Sequence, residues 1–287
     1  MHDMKLARNR IRPFVERARQ FSGWRLDEFD PKPLEPQPPW DYETRAVELV
    51  RAANSVLDMG TGGGELFDAL TASFFGRTVA TEPWSVNAPI AAARLRPRGI
   101  AVVRCGSLQL PFRPAIFDLV LNRHEELDPA EVARVITFDG SVLTQQVGRS
   151  RWRELRPFFP RMQDFGDLFH RYEHGLETSG LTIVQARTHD WKAAYRTLGD
   201  IVFLLCIAPW EIPHFDPLDA DLPALLAAEE SLSTEQGIVL TESRFLIEAR
   251  RTWEDDFDPV KEYRMAHGDV KSIVDSPWTS MGTSDTA

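Results

Sequence analysis

Between Tyr42 and Gln146 short apolar runs alternate with helical stretches, and a chain patterned this way has few options besides a parallel sheet with helices on both faces. The pattern predicts a helix over 42–53, a strand Ser55–Asp58, a helix from about Glu65 to Ser73 and a strand Thr78–Glu82. A helix over 85–96, strands Ile100–Arg104 and Phe117–Asn122, a helix over 128–136 and a strand Ser141–Gln146 complete this half. Beyond Gly148 the regularity lapses until a helix over 167–179, a strand over 181–188, a helix over 197–207 and a last strand near 238–249. The expected fold class is therefore α/β, with a doubly wound, seven-stranded, mostly parallel sheet.

The flanks read differently. Residues 5–20 place Leu6, Ile11, Phe14, Val15 and Ala18 at helical spacing, a basic amphipathic helix that suits packing better than membrane contact. Five prolines in the nine residues Pro31–Pro39 exclude helix and central strand and leave a stiff extended connector. The expected divisions are an N-terminal helix with this connector (1–39), a nucleoside-binding core (40–148), a substrate cap with the last strands of the sheet (149–255), and a polar C-terminal tail (256–287). The longest apolar run, Ile201–Ala208, falls far short of the roughly 20 residues of a membrane-spanning helix. The start of the chain lacks an apolar signal core, so a soluble, cytoplasmic protein is expected. Cys105 and Cys206 have neither a disulfide nor a metal spacing and read as small buried hydrophobes.

The chemistry concentrates at the first strand-to-helix turn, Asp58-Met59-Gly60-Thr61-Gly62-Gly63-Gly64-Glu65. Glycines there let a ligand approach the backbone closely, a device shared by several nucleotide sites. A dinucleotide fingerprint would put its third glycine where this chain has Glu65, and a carboxylate there opposes a diphosphate. S-adenosylmethionine has no phosphate and carries a sulfonium and an ammonium, so Asp58 and Glu65 match its charge. Glu82, at the end of the second strand and 24 positions after Asp58, stands where an acid accepts from both ribose hydroxyls.

The runs Val56-Leu57-Asp58-Met59-Gly60-Thr61-Gly62-Gly63-Gly64-Glu65, Ala80-Thr81-Glu82-Pro83-Trp84, Leu110-Pro111-Phe112 and Phe117-Asp118-Leu119-Val120 together resemble class I S-adenosylmethionine-dependent methyltransferases. The resemblance spans residues 50–148. Beyond it, the region from Thr144 through Pro209-Trp210-Glu211-Ile212-Pro213-His214-Phe215 is similar to a bacterial methyltransferase group of undefined acceptor. It implies that Asp58, Gly60 and Gly62 line the methionine part of the cofactor, that Glu82 binds ribose and that Trp84 borders adenine. Ser107 and Leu108 fall at the adenine edge, and Thr61, Glu65, Pro83 and Asn122 join the same cofactor set. Two departures stand out. Ser107 replaces the usual aspartate that accepts from the adenine amino group, and Ile136-Thr137-Phe138-Asp139-Gly140 replaces a usual Leu-x-Pro-Gly-Gly turn before the fifth strand.

Ligands of open parallel sheets bind beyond the carboxyl ends of the strands, which places Arg123 and His124 near the transferring methyl. A neutral His124 can take a proton from an acceptor hydroxyl or amine, and Arg123 can hold an anionic group of substrate or cofactor. An equally open reading has His124 only ordering its loop. Gln145 and Gln146 end the fifth strand, and one of them should face the site. Trp210 sits in an apolar stretch, residues 203–215, suited to the wall of a pocket for an uncharged or aromatic acceptor.

A net charge of −10 works against nucleic-acid binding and favours a small-molecule acceptor for O- or N-methylation. Five arginines in thirteen residues, Arg149, Arg151, Arg153, Arg156 and Arg161, are the local exception and keep an RNA methyltransferase as an alternative. Ser107 and the 136–140 stretch keep a second, a non-catalytic cofactor-binding regulatory protein. His170 and His174 stand at i, i+4 with no third ligand, so no metal is expected.

Overall fold

The computed structural model describes residues 2–252, so the polar tail expected over 256–287 lies outside the described residues. The elements run α1 (His2–Arg19), β1 (Lys32–Pro33), α2 (Tyr42–Ala52), β2 (Ser55–Met59), α3 (Glu65–Leu70), β3 (Arg77–Thr81), α4 (Asn87–Leu95), β4 (Ala101–Val103), β5 (Phe117–Arg123) and α5 (Pro129–Val135). They continue with β6 (Ile136–Val147), α6 (Leu168–Thr178), β7 (Thr182–Tyr195), α7 (Leu198–Ile207), α8 (Leu222–Leu232), β8 (Ser233–Thr234) and β9 (Gly237–Arg250).

One sheet orders these strands β1-β7-β9-β6-β5-β2-β3-β4, with β8 paired to β9. The pairs β3/β4, β2/β3, β2/β5 and β5/β6 are parallel; β9 is antiparallel to both β6 and β7. The mostly parallel, doubly wound sheet is as expected, but it has nine strands and not seven. The two extra ones, β1 and β8, are two-residue edge pairings too short to leave a periodicity. β2 is buried at all five positions because helices cover both faces, which is why it reads as a continuous apolar run.

Caps fix where the helices begin. Asp41 accepts from the N–H groups of Glu43 and Thr44 to start α2, and Asp128 does the same at Ala130 and Glu131 for α5. At α7 a reciprocal box joins Thr197 and Asp200. One apolar layer packs β2, β5, β6 and β9 against α5 and α6 and another packs them against α2, α3 and α4. A third core joins α1 to α7 and α8 through Ile11, Val15, Ile201, Val202, Leu205 and Leu225.

Two expectations need correction, and one helix is new. The stretch 136–140 is no turn: β6 begins at Ile136, and the irregularity appears as a register shift opposite β5 and a left-handed Asp139 at φ 62°. β7 runs to Tyr195, past the expected end at 188, because it stays paired with β9 over its whole length. α8 was not read from the sequence; its Pro223 sits in the first turn, where a missing N–H costs nothing.

Candidate functional site

The glycine turn leaves β2 and enters α3 with Gly60, Gly62 and Gly64 at φ 68°, 62° and 80°, a region that side chains strain to occupy. A Cβ at Gly62 would stand 2.5 Å from Trp24 Cδ1, and one at Gly60 2.5 Å from Glu125 Cβ. Neighbouring strands hold the turn: the Thr61 N–H donates to the Thr81 carbonyl (2.8 Å), and the Gly62 N–H donates to Glu82 Oε2 (2.7 Å). The other Glu82 oxygen accepts from the Trp84 N–H (2.9 Å), so one buried carboxylate ties the turn to the end of β3 and keeps lone pairs free.

Asp58 ends the same row, 9% exposed. Burial pushes its carboxyl up to about 7, against the pull of the Thr61 hydroxyl, with Glu82 adding repulsion. Burial also raises the Glu82 carboxyl despite the two amides that favour its charge. Neither acid forms an ion pair among the described residues. Two buried acids outside any ion pair, with only Arg123 acting on Asp58 from beyond contact, fit a cationic ligand and oppose a diphosphate. Glu65 does not belong with them: Arg94 Nη2 pairs with it at 3.1 Å, so its charge is already matched.

At the expected adenine edge, Trp84 and Leu108 are 39% and 50% exposed, Pro83 is half-buried and Ser107 is buried. The Ser107 hydroxyl donates to Glu125 Oε1 (2.8 Å), which brings a carboxylate to the place where the sequence lacks the usual aspartate.

Near the end of β5, Asn122 is fully buried; its Oδ1 accepts from the Thr144 hydroxyl (2.7 Å) and from Gln146 Nε2. Its Nδ2 has no hydrogen-bond partner among the described residues. Gln146 also donates to the Glu125 carbonyl (2.9 Å), so its amide holds the 122–125 loop and has no hydrogen to spare for a substrate. Gln145 is the glutamine that lies opposite Arg123 in register; its Oε1 accepts from Trp40 Nε1 (2.9 Å). Arg123 is half-buried, its Nη1 is 3.4 Å from Glu43 Oε1, and its Nε is buried with no hydrogen-bond partner among the described residues.

His124 has a left-handed backbone at φ 62°, fixed by its N–H donating to the Gln145 carbonyl (2.9 Å). His124 is exposed to solvent, while the protein around it and the cations Arg244, Arg123 and Arg151 hold its ring below the usual imidazole value. It is thus neutral at neutral pH. Trp210, half exposed, stands 6.3 Å from the Trp24 ring and so borders the glycine turn.

The sequence reading missed Trp24, Glu125 and Arg244. Trp24 belongs to the segment after α1, anchored by the Gly23 N–H on Asn87 Oδ1 (2.8 Å) and packed 6.3 Å from Trp84. Only an isolated glycine before a tryptophan marks it in the sequence, and that signal is weak. The arginine run carries ion pairs: Arg149 with Asp164, Arg151 with Glu211 and Glu242, Arg161 with Asp221. His170 pairs with Asp167, and no cluster of metal-ligand type occurs among the described residues. A cavity of about 680 Å³ lies along α4 and β4, lined by Ala88, Arg96 and Arg104 and apart from these groups.

Residues 57–141 match the family described as Methyltransferase domain. In fold the chain is similar to a functionally unknown protein of Deinococcus radiodurans R1, with TM-score 0.55 and 18% identity over 77% of this chain and 91% of that one. It is also similar to a provisionally assigned methyltransferase of Bacillus halodurans C-125, with TM-score 0.52 and 15% identity over 73% of this chain and all (100%) of that one. The YcgJ protein of Bacillus subtilis gives TM-score 0.50 and 15% identity over 74% of this chain and 100% of that one. No curated protein is detectably similar in sequence. The strand order and the glycine turn define a Rossmann-like nucleoside-binding fold. With the domain match, residues 57–141 are a methyltransferase domain on that fold.

Proposed function

We propose that the chain methylates an oxygen or nitrogen of a small molecule, with the cofactor held over the glycine turn and the acceptor beside His124. The observation that carries this reading is the pair of buried acids Asp58 and Glu82, neither in an ion pair among the described residues, flanking the glycine turn at the carboxyl edge of the sheet. S-adenosylmethionine, when bound, supplies a methyl group already activated on a sulfonium.

The chain's own residues do the remaining work. Asp58 attracts the cationic end, Glu82 accepts from the ribose while its other lone pairs hold the turn, and Trp84 with Leu108 and Pro83 walls the base. Ser107 presents Glu125 to the base edge. The unpartnered donors Asn122 Nδ2 and Arg123 Nε face the methionine end, where a carboxylate would satisfy them. Gln146 fixes the 122–125 loop, and with it His124, which as a neutral imidazole takes the acceptor's proton. Alignment supplies much of the remaining rate, which suits a cleft walled by Trp24 and Trp210. The ion pairing of Arg149, Arg151 and Arg161 leaves them poorly placed to bind phosphates, which favours a small acceptor over RNA.

Calorimetry with the cofactor tests the reading: wild type should bind, and Asp58→Ala and Glu82→Ala should weaken binding at least tenfold. Undiminished binding in both variants would refute the site. Release of S-adenosylhomocysteine across a panel of small hydroxyl and amine acceptors tests transfer itself.

A further inference from the structure

The acceptor side of the cleft holds a second cationic group that the cofactor reading does not use. Arg244 on β9 pairs with Val147 in register, Arg123 on β5 pairs with Gln145, and side chains two apart share a face. Arg123, Gln145 and Arg244 therefore stand on one face at the carboxyl end of the sheet. Two strand spacings, roughly 10 Å, and a two-residue offset separate the arginines.

Arg244 is held from one side only. Its Nη1 donates to Glu242 Oε2 (3.1 Å) and to the Ser243 carbonyl (2.8 Å), and its guanidinium carbon lies 5.6 Å from the Trp191 ring centre. Glu242, 3% exposed as a side chain, has other partners: Trp152 Nε1 (2.9 Å), the Tyr195 hydroxyl and Arg151 Nε (3.7 Å). Nε and Nη2 of Arg244 make no hydrogen bond among the described residues, although the side chain is only 21% exposed. The Nε–H and the Nη2 hydrogen beside it form one edge of the guanidinium fork. Asp30, on the segment beyond α1, feels both Arg244 and Arg123 but forms no ion pair with either. Arg244 is also the foremost of the cations acting on His124.

We propose that the methyl acceptor carries a carboxylate, bound two-pronged by the Nε–Nη2 edge of Arg244 with the reacting hydroxyl or amine towards His124. This rests on the methyl-transfer reading of the cleft. A planar carboxylate matches a planar fork, and an edge already oriented by Glu242 loses little freedom on binding. The structural alternative, in which Arg244 only balances Glu242, leaves the free edge without a role, since Trp152, Tyr195 and Arg151 already serve that acid.

The test uses the full chain loaded with S-adenosylhomocysteine and titrated calorimetrically with benzoate, benzamide and phenyl phosphate. Benzoate should bind and benzamide should not. Arg244→Gln should weaken benzoate at least tenfold, Arg244→Lys should restore only part of it, and S-adenosylhomocysteine affinity should stay within about twofold throughout. Equal binding of benzoate and benzamide, undiminished benzoate binding in Arg244→Gln, a preference for phenyl phosphate, or no benzoate binding by wild type would each overturn the proposal. Should Arg244→Gln fail to fold, Arg244→Lys carries the test: lysine keeps the charge beside Glu242 without the fork, so unchanged benzoate affinity overturns the proposal. Failure of S-adenosylhomocysteine to bind at the outset strikes the methyl-transfer reading instead, and it is measured before any acid is added.

Discussion

Asp58, with its carboxyl near 7, is only partly ionised at neutral pH until a cation reaches it. Cofactor affinity should therefore be flat above about pH 7 and fall about tenfold per pH unit below it, as the acid takes up its proton. Asp58→Asn should flatten that dependence at the weaker level, a result calorimetry across pH 5–9 would give. The same shift acts on stability with the opposite slope. A carboxyl raised above its unfolded value stabilises most below about pH 4, and that contribution is lost as pH rises through about 7. Melting of the ligand-free protein should follow this trend, and cofactor should offset it at high pH. His124 makes a separate kinetic prediction. Because its ring is held well below the usual imidazole value, it stays neutral near pH 7, and its ionisation should leave turnover level there. Replacing His124 with Gln should lower kcat about 100-fold while cofactor affinity stays within twofold. Unchanged kcat would leave His124 with only its loop-ordering bond to Gln145.

At the scale of elements, the turn after β2 and the segment after α1 act as a pair. Gly62 needs its left-handed backbone and also accommodates the Trp24 ring, so a Cβ there is strained twice. Gly62→Ala should cost about 1–3 kcal/mol of stability in denaturant unfolding and weaken the cofactor as well. Trp24→Ala, which removes the half-exposed ring and leaves the turn intact, should weaken cofactor affinity with little change in stability. It should also remove part of the tryptophan fluorescence change on binding. The turn was legible because glycines between an acid-ended strand and a helix have few other uses. Trp24 was not, because nothing in residues 20–30 indicates that they cross to a turn some forty positions away.

Across the molecule, one aromatic side chain links the N-terminal helix, the segment beyond it and the buried α7. Phe203, fully buried, stacks on Phe29 at 3.8 Å and meets Phe21 edge-on at 5.4 Å. Phe203→Ala should cost about 3–5 kcal/mol and lower the melting temperature by roughly 5–15 °C. It should also weaken the cofactor, because the segment carrying Trp24 loses its anchor. From sequence alone came the strand and helix alternation and the acid and glycine turn, since each depends on local periodicity or on short-range charge. Tertiary structure alone decided that Glu65 is neutralised by Arg94, that Gln146 serves the loop while Gln145 lies opposite Arg123, and that Arg244 comes near enough to act on His124. Those outcomes follow from strand register and from partners tens to over a hundred residues away, and sheet pairing, unlike periodicity, leaves no mark on the residues that share it.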